Sequence, residues 1–476
     1  MRALAWIVGI VSLPVIVLVL WNRIDRAPTV LAQSYASYSR PQVADADNAW
    51  MAFAGLGAAP DEEPLALARR RVDALNARIA QRPATAADEA ERALFEDRLP
   101  LVRPDASRDG SDDYCPSREP DCLAWARTHG AMLRRLRDAN ALRLQRYGKL
   151  LSLPGWQVRY PPDADVPYVD TSVGVLYVNL VALGLANTTP GAAQADHGFE
   201  LERLAQHVAF WRRVRSEPQD VVTILRSGRM IENAYWILAA WLDRAGVEEI
   251  STHADTIDRI LQPPSKPVDW NLEMAEEYRQ FDRKLLLGLP GPAHVLGRCI
   301  SGAVEGGCVK MLLINLAFAR QATLNIYAVQ HKEMQRILEA PPLDLENVKL
   351  AARKVIEATW PRFDGVGIVL SQLSYNYAGR TLAAVAMPAF DWGEREHDRE
   401  ALRRMVRIKY AARLARIDVK DMPDFVRKLG EPLHNPLSGR PFDWDPVLQT
   451  LHFAPRAVKD WKRARVDIGY RPPPTA

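Results

Sequence analysis

The sequence predicts a mainly α-helical fold: an N-terminal transmembrane helix, then a large irregular helical bundle or array, closed by a short C-terminal β-hairpin-like element. Three observations predict it. Residues Ala3–Trp21 (ALAWIVGIVSLPVIVLVLW) carry no charge and one polar side chain, Ser12. Beyond them, apolar residues recur at helical spacing in segment after segment, with breaks at proline or glycine. Near the C-terminus, Asn-Pro and Ser-Gly pairs form turns before Phe442 and Trp444.

The apolar run comes first. Its length suits one helix crossing about 30 Å of hydrocarbon at about 1.5 Å per residue. Trp6 and Trp21 stand near its two ends, where indoles favour the interface, and bilayer helices tolerate a residue such as Pro14. A cleaved signal peptide competes with a retained anchor. Val30-Leu31-Ala32 resembles a cleavage site, but it lies beyond Arg23, Asp25, Arg26 and Pro28, too far from the run for ordinary processing. Retention is the expectation. Arg2 on one side nearly balances Arg23 and Arg26 on the other, so flanking charge does not fix orientation.

The four cysteines speak to the compartment. They fall in two local pairs, Cys115 with Cys122 and Cys299 with Cys308. Prolines 116 and 120 in the first loop, and glycines 302, 306 and 307 in the second, favour tight turns within disulfide reach. Free thiols and a zinc site are the alternatives. His129 and His294 are close in sequence, but the spacings fit no common zinc pattern. Disulfides place the body in an oxidising compartment. The expected location is a bacterial inner membrane, crossed once, with the body in the periplasm.

Composition bounds the rest. An apolar fraction of 48% fills an ordinary core, and a net charge of +4 argues against nucleic acid as a partner. Basic residues crowd 403–420 (Arg403, Arg404, Arg407, Lys409, Arg413, Arg416, Lys420) and the tail (Lys459, Lys462, Arg463, Arg465). A solvated helix face explains such runs. Contact with anionic lipid headgroups is the sharper reading beside an anchor.

The chain divides into an anchor (1–22), a tether and first packing segment (23–63), an N-terminal helical region with a stapled loop (64–198), a main helical domain (199–430), and a C-terminal turn and basic tail (431–476). Ala49–Ala59 reads as a docked piece and Pro64–Ala80 as a helix. Leu123–Leu151 reads as one long helix stopped by Pro154. Val173–Leu185 suits either strand or helix, with buried helix favoured by its neighbours. Helices then follow at 199–215, 219–246, 252–261, 270–287, 308–340, 345–360, 367–387 and 395–417. Two further apolar stretches fail as membrane spans on charge: Arg380 lies within 367–387, and Lys310 and Arg320 lie within 309–330. No fixed-period repeat supports a solenoid.

Candidate chemistry is sparse. Asp391, Glu394, Glu396, His397 and Asp398 form the densest ionisable cluster, a weak candidate for metal binding or acid–base work. Acidic residues at a helix start explain it as well. Glu232 lies in an otherwise apolar helix and needs a partner, with Arg226 or Arg229 nearest in sequence. Glu232, Asp391 and His397 are thus the weak catalytic candidates. His331 and Glu333 are too closely spaced to converge on one helix face. Glu276 and Glu277 read as surface residues. Trp360, Phe363, Tyr375, Tyr377, Phe390 and Trp392 cluster in sequence and suit either a binding groove or helix packing. No nucleotide loop, zinc-protease helix or serine elbow is present, so no cofactor and no metal are expected.

Asn435-Pro436-Leu437-Ser438-Gly439-Arg440-Pro441-Phe442-Asp443-Trp444, followed by Leu448–Phe453, resembles the closing segment of a loosely related set of uncharacterised bacterial proteins. These have one N-terminal span, a large helical body and a terminal Asp/Asn-Pro-x-Ser/Thr-Gly-x-Pro-hydrophobic element. This chain departs from them where a basic tail replaces a longer strand pair. The resemblance implies the layout and brings no activity or catalytic residue.

The expectation is a membrane-tethered helical protein that works by binding, as a scaffold, chaperone-like or immunity-type partner of an envelope protein. An envelope hydrolase acting on peptidoglycan, glycan or lipid is the alternative, and a lipid-binding transport component a third.

Overall fold

In the computed structural model of the chain, the described residues are 17, 20–21, 24–39, 42–81, 97–103, 115, 121–159, 171–187, 195–217, 220–288, 318–360, 375–385, 392–457 and 465–472. They are mainly helical. The first third contains α1 (Val30–Ser37), α2 (Ala49–Ala54), α3 (Pro64–Gln81), α4 (Cys122–Thr128), α5 (Gly130–Ala139) and α6 (Ala141–Leu150). The middle contains α7 (Ser172–Ala186), α8 (Ala195–Ser216), α9 (Val221–Leu242), α10 (Val247–Thr252), α11 (Ala254–Leu261) and α12 (Trp270–Gly288). Then come α13 (Arg320–Glu339), α14 (Leu345–Thr359), α15 (Tyr377–Val385), α16 (Trp392–Leu414) and α17 (Met422–Lys428). Strands β1 (Asp443–Asp445), β2 (Thr450–Phe453) and β3 (Val466–Gly469) form an antiparallel sheet in that order.

Among these residues no helix is long and apolar enough to cross a membrane. Most of the apolar run, including residues 3–16, lies outside them. So do Phe363, Phe390, Asp391, Cys299 and Cys308.

The main core is built around α7. Its sequence, SVGVLYVNLVALGLA, is apolar on nearly every side, as a helix enclosed by protein must be. The ambiguous 173–185 stretch is therefore helical. Helices α4, α5, α8 and α9 pack against it, and α16 covers α9. One contiguous set of buried side chains joins Ala49 and Trp50 of α2 to Phe453, Val466 and Tyr470 at the sheet. A second core lies between α1, α12 and α13, where Phe281 stacks on Tyr327 at 3.8 Å and Tyr35 meets Tyr278 at 5.9 Å.

Several expected helices are interrupted. The Leu123–Leu151 helix bends at His129 and Asn140, giving α4, α5 and α6. Asn140 is buried there because its side chain pairs with the backbone of Val102, donating to the carbonyl and accepting from the N–H, both at 2.9 Å. In the 367–387 stretch, the described helix starts only at Tyr377. Asn376 stands before it at φ 55°, and its Oδ1 accepts from Ala319 N at 2.9 Å. A helix does not pass through a left-handed residue.

The C-terminal hairpin is a three-stranded sheet. β3 follows the basic stretch and pairs with β2 through Leu451↔Ile468 and Phe453↔Val466. The Asn-Pro-Leu-Ser-Gly turn preceding β1 closes on Asn435, whose carbonyl accepts from Gly439 N at 2.8 Å. Gly439 sits at φ +68°, a conformation that glycine adopts without a Cβ penalty.

Cys115 and Cys122 are joined as a disulfide with Cα atoms 5.6 Å apart. Both are buried, and Asn179 of α7 accepts from Cys115 N at 2.9 Å. Asp121 caps α4 through Ala124 N at 2.9 Å and pairs with Arg244 at 2.8 Å.

Candidate functional site

The sequence candidates disperse on folding. Glu232 projects from α9 toward α16, where it accepts from Arg399 Nε at 2.9 Å. Arg399 also reaches Glu396 at 2.7 Å, and Arg215 of α8 pairs with Glu396. Two arginines and two glutamates from three helices thus form one linked group. Gly228 makes it possible, since a Cβ there would stand 2.0 Å from Arg399 Nη2. The Arg399 guanidinium bridges two carboxylates, with one charge-assisted hydrogen bond to each. The partner of Glu232 comes from 167 residues away, which sequence proximity did not point to.

The cluster at the start of α16 fans out. Glu394 accepts from Lys349 at 2.5 Å, and Glu396 faces the arginines. Asp398 is fully buried and accepts from Arg456 N and Ala457 N, both at 3.0 Å, tying the chain after β2 to the helix. His397 is held down to about 4 by burial and then by the Arg456 cation, so its imidazole is neutral. These groups share a stretch of chain but not a point in space. Among the described residues, no three His, Cys, Asp or Glu side chains converge to hold a metal ion. His331 and Glu333 also diverge: His331 is buried and Nδ1 contacts Tyr327 O at 3.1 Å, while Glu333 pairs with Arg336 at 2.6 Å.

Of the aromatic candidates, Trp360, Tyr375, Tyr377 and Trp392 are among the described residues. Tyr375 donates its hydroxyl to Ile24 O at 2.8 Å, and Arg26 lies over its ring at 5.1 Å. Trp392 packs on the second core. Trp360 ends α14, and its carbonyl accepts from Arg380 Nη2 at 2.5 Å. Tyr377 opens α15, and its carbonyl accepts from Thr381 at 3.0 Å. Among the described residues no ring contact joins Trp360, Tyr375, Tyr377 and Trp392.

The basic run at 403–420 is not a free cationic face. Arg403, Lys409 and Arg413 are buried. Arg403 grips Glu400 at 2.6 Å, Lys409 pairs with Asp243 at 2.7 Å, and Arg413 donates to the Arg471 carbonyl at 2.5 Å. Arg465 of the tail pairs with Asp467 at 2.6 Å and Asp445 at 3.0 Å. Lys459, Lys462 and Arg463 lie outside the described residues.

Sequence reasoning placed Glu277 on the surface, but it is half-buried on α12. Its carboxyl is pushed up to about 7, first by loss of water. The nearby Asp220 and Glu276 charges add to this, and Lys284 opposes it. Asp220 is buried at the start of α9, where it accepts from Thr223 N at 2.7 Å. Burial raises its carboxyl too. Fully buried Glu273 lies one turn before Glu277, and both act on the Tyr327 hydroxyl. A carboxyl balanced near neutrality can exchange a proton under ordinary conditions. No sequence signal marks it, because α13 and α1, the helices that pack on α12, come from elsewhere in the chain.

A second buried polar group lies in the main core. Trp211 Nε1 donates to Tyr147 Oη at 3.0 Å, and that oxygen meets His207 Nδ1 at 3.1 Å. His207 stacks parallel to Tyr177 at 5.9 Å. Complete burial holds the imidazole down to about 3. Tyr147, Tyr177, His207 and Trp211 are all buried among core side chains, so this group serves packing.

Comparison of the chain with protein-family models, with curated proteins and with solved structures finds no match.

Proposed function

We propose that this chain is a membrane-tethered protein of the bacterial envelope, whose helical body works in the oxidising compartment by binding another envelope protein. The observation that carries the reading is the Cys115–Cys122 bond. It is built into the main core, with Asn179 of α7 holding its backbone. A bond placed there belongs to a compartment in which it persists. The apolar run Ala3–Trp21 supplies the tether. The strongest sequence candidate for acid–base work, Glu232, is engaged by Arg399, which favours a structural role.

The test is capture of the tethered protein from its own envelope after crosslinking, with a parallel alkylation of unreduced, unfolded protein. The reading expects a stoichiometric envelope partner and no labelling of Cys115 or Cys122. Labelled cysteines, or a reporter at Ala476 that proves cytosolic, would overturn it.

The environment of Glu277 favours a second reading, an envelope hydrolase in which that carboxyl moves a proton. It expects the purified protein to turn over cell-wall, glycan or lipid substrate, and Glu277→Gln to abolish turnover with helical content unchanged.

A further inference from the structure

We infer that residues 24–38 are a rigid collar, which fixes one end of the helical body against the phospholipid headgroups. The inference rests on the membrane-tethered reading above and adds an orientation to it. Asp25 accepts from Gln321 N at 2.7 Å and Ala322 N at 2.9 Å, capping the first turn of α13 from outside the helix. Orphan N–H groups at a helix start are strong partners for a carboxylate. Thr29 N donates to Asn325 Oδ1 at 3.0 Å, and Asn325 returns a bond to Ala27 O at 2.9 Å. Tyr375 holds Ile24 from the other side. Further along, Tyr35 is buried in the second core and Tyr38 donates to Asp269 at 3.0 Å. The segment is therefore bonded to the body at both ends.

It emerges at a defined place. Asp25 meets the N-terminus of α13, beside which Arg320 pairs with Asp282 near the end of α12. Just before it, Trp21 is 59% exposed and Ile24 is 71% exposed, so the body leaves these apolar residues uncovered. A retained span ending at Trp21 puts them at the headgroup level, where an indole is favoured. Exposed Lys284 and Arg26 lie at this same end and suit lipid phosphates. The opposite end of α13, with exposed Leu343, is a 20-residue helix away, about 30 Å. This assigns lipid contact to an end that the basic runs did not indicate.

The test uses the full chain in vesicles of phosphatidylethanolamine and phosphatidylglycerol. A photo-crosslinking benzoylphenylalanine is placed at Lys284 or at Leu343, and lipid adducts are measured by mass spectrometry. The expected yield is at least fivefold higher at Lys284. Releasing the collar with Asp25→Ala, Asn325→Ala and Tyr375→Phe together should bring the two yields within twofold, with membrane attachment and helical content retained. Equal yields in the parent, or a ratio unmoved in the released form, overturn the collar while the tether stands. Loss of the parent chain to a carbonate wash overturns the tether itself and the collar with it.

Discussion

Glu277 and His207 show how burial sets charge residue by residue. An acid pushed up to about 7 binds its proton more tightly folded than unfolded. Its contribution is fully favourable below the ordinary glutamate value and is lost as pH rises toward 7. At about 1.4 kcal/mol per pKa unit, a carboxyl raised from 4.5 to about 7 penalises its ionised form by about 3 kcal/mol. Glu277→Gln should therefore raise the melting temperature at pH 8.5 and change it little at pH 5, as read by calorimetry. The histidines act oppositely. His207 is held at about 3, and His331 and His397 at about 4, so the unfolded chain takes up protons first as pH falls below about 6.5. The three downward histidine shifts outweigh the upward shifts of Glu277 and Asp220. Urea unfolding should show lower stability at pH 5 than at pH 7, and His207→Gln should flatten that slope. None of this was legible in the sequence. Glu277 follows another acid along α12, and only tertiary packing removes its water.

At the scale of elements, the ion group between α8, α9 and α16 is the joint most exposed to single changes. Arg399→Met strands the carboxylate of Glu232 and half of Glu396, at a cost of about 3 kcal/mol. The double change Arg399→Met with Glu232→Met should recover part of that loss in chemical denaturation. Most helices were legible because proline, glycine and apolar spacing mark them. Their breaks were not. Asn140 interrupts a helix for the sake of Val102, a partner 38 residues earlier. Strand β3 was hidden behind basic residues, since its pairing is set by β2 and not by its own four residues. Helix α1 was unread because Ala32 and Tyr35 alone commit it to the second core.

At the scale of the molecule, the disulfide and the cores divide the work of stability. A staple spanning 7 positions restrains a short loop, for which chain entropy gives roughly 2–3 kcal/mol. Cys115→Ser with Cys122→Ser should lower the urea midpoint accordingly, and the difference from the parent should vanish under reductant. Overall architecture followed from sequence because helix and turn signals are local. The candidate site did not, because charges that meet across helices are separated by 167 residues and more along the chain.

The late strand has a consequence for biogenesis. Val466, Ile468 and Tyr470 share a core with Trp50, and the Tyr470 hydroxyl donates to Ile417 O at 2.5 Å. The interior therefore stays open along one wall until residues 466–470 have been synthesised. A nascent chain in that condition cannot yet close its core. Release of polypeptides shortened at residue 464 should yield a product that proteases digest rapidly, whereas one reaching residue 472 resists them.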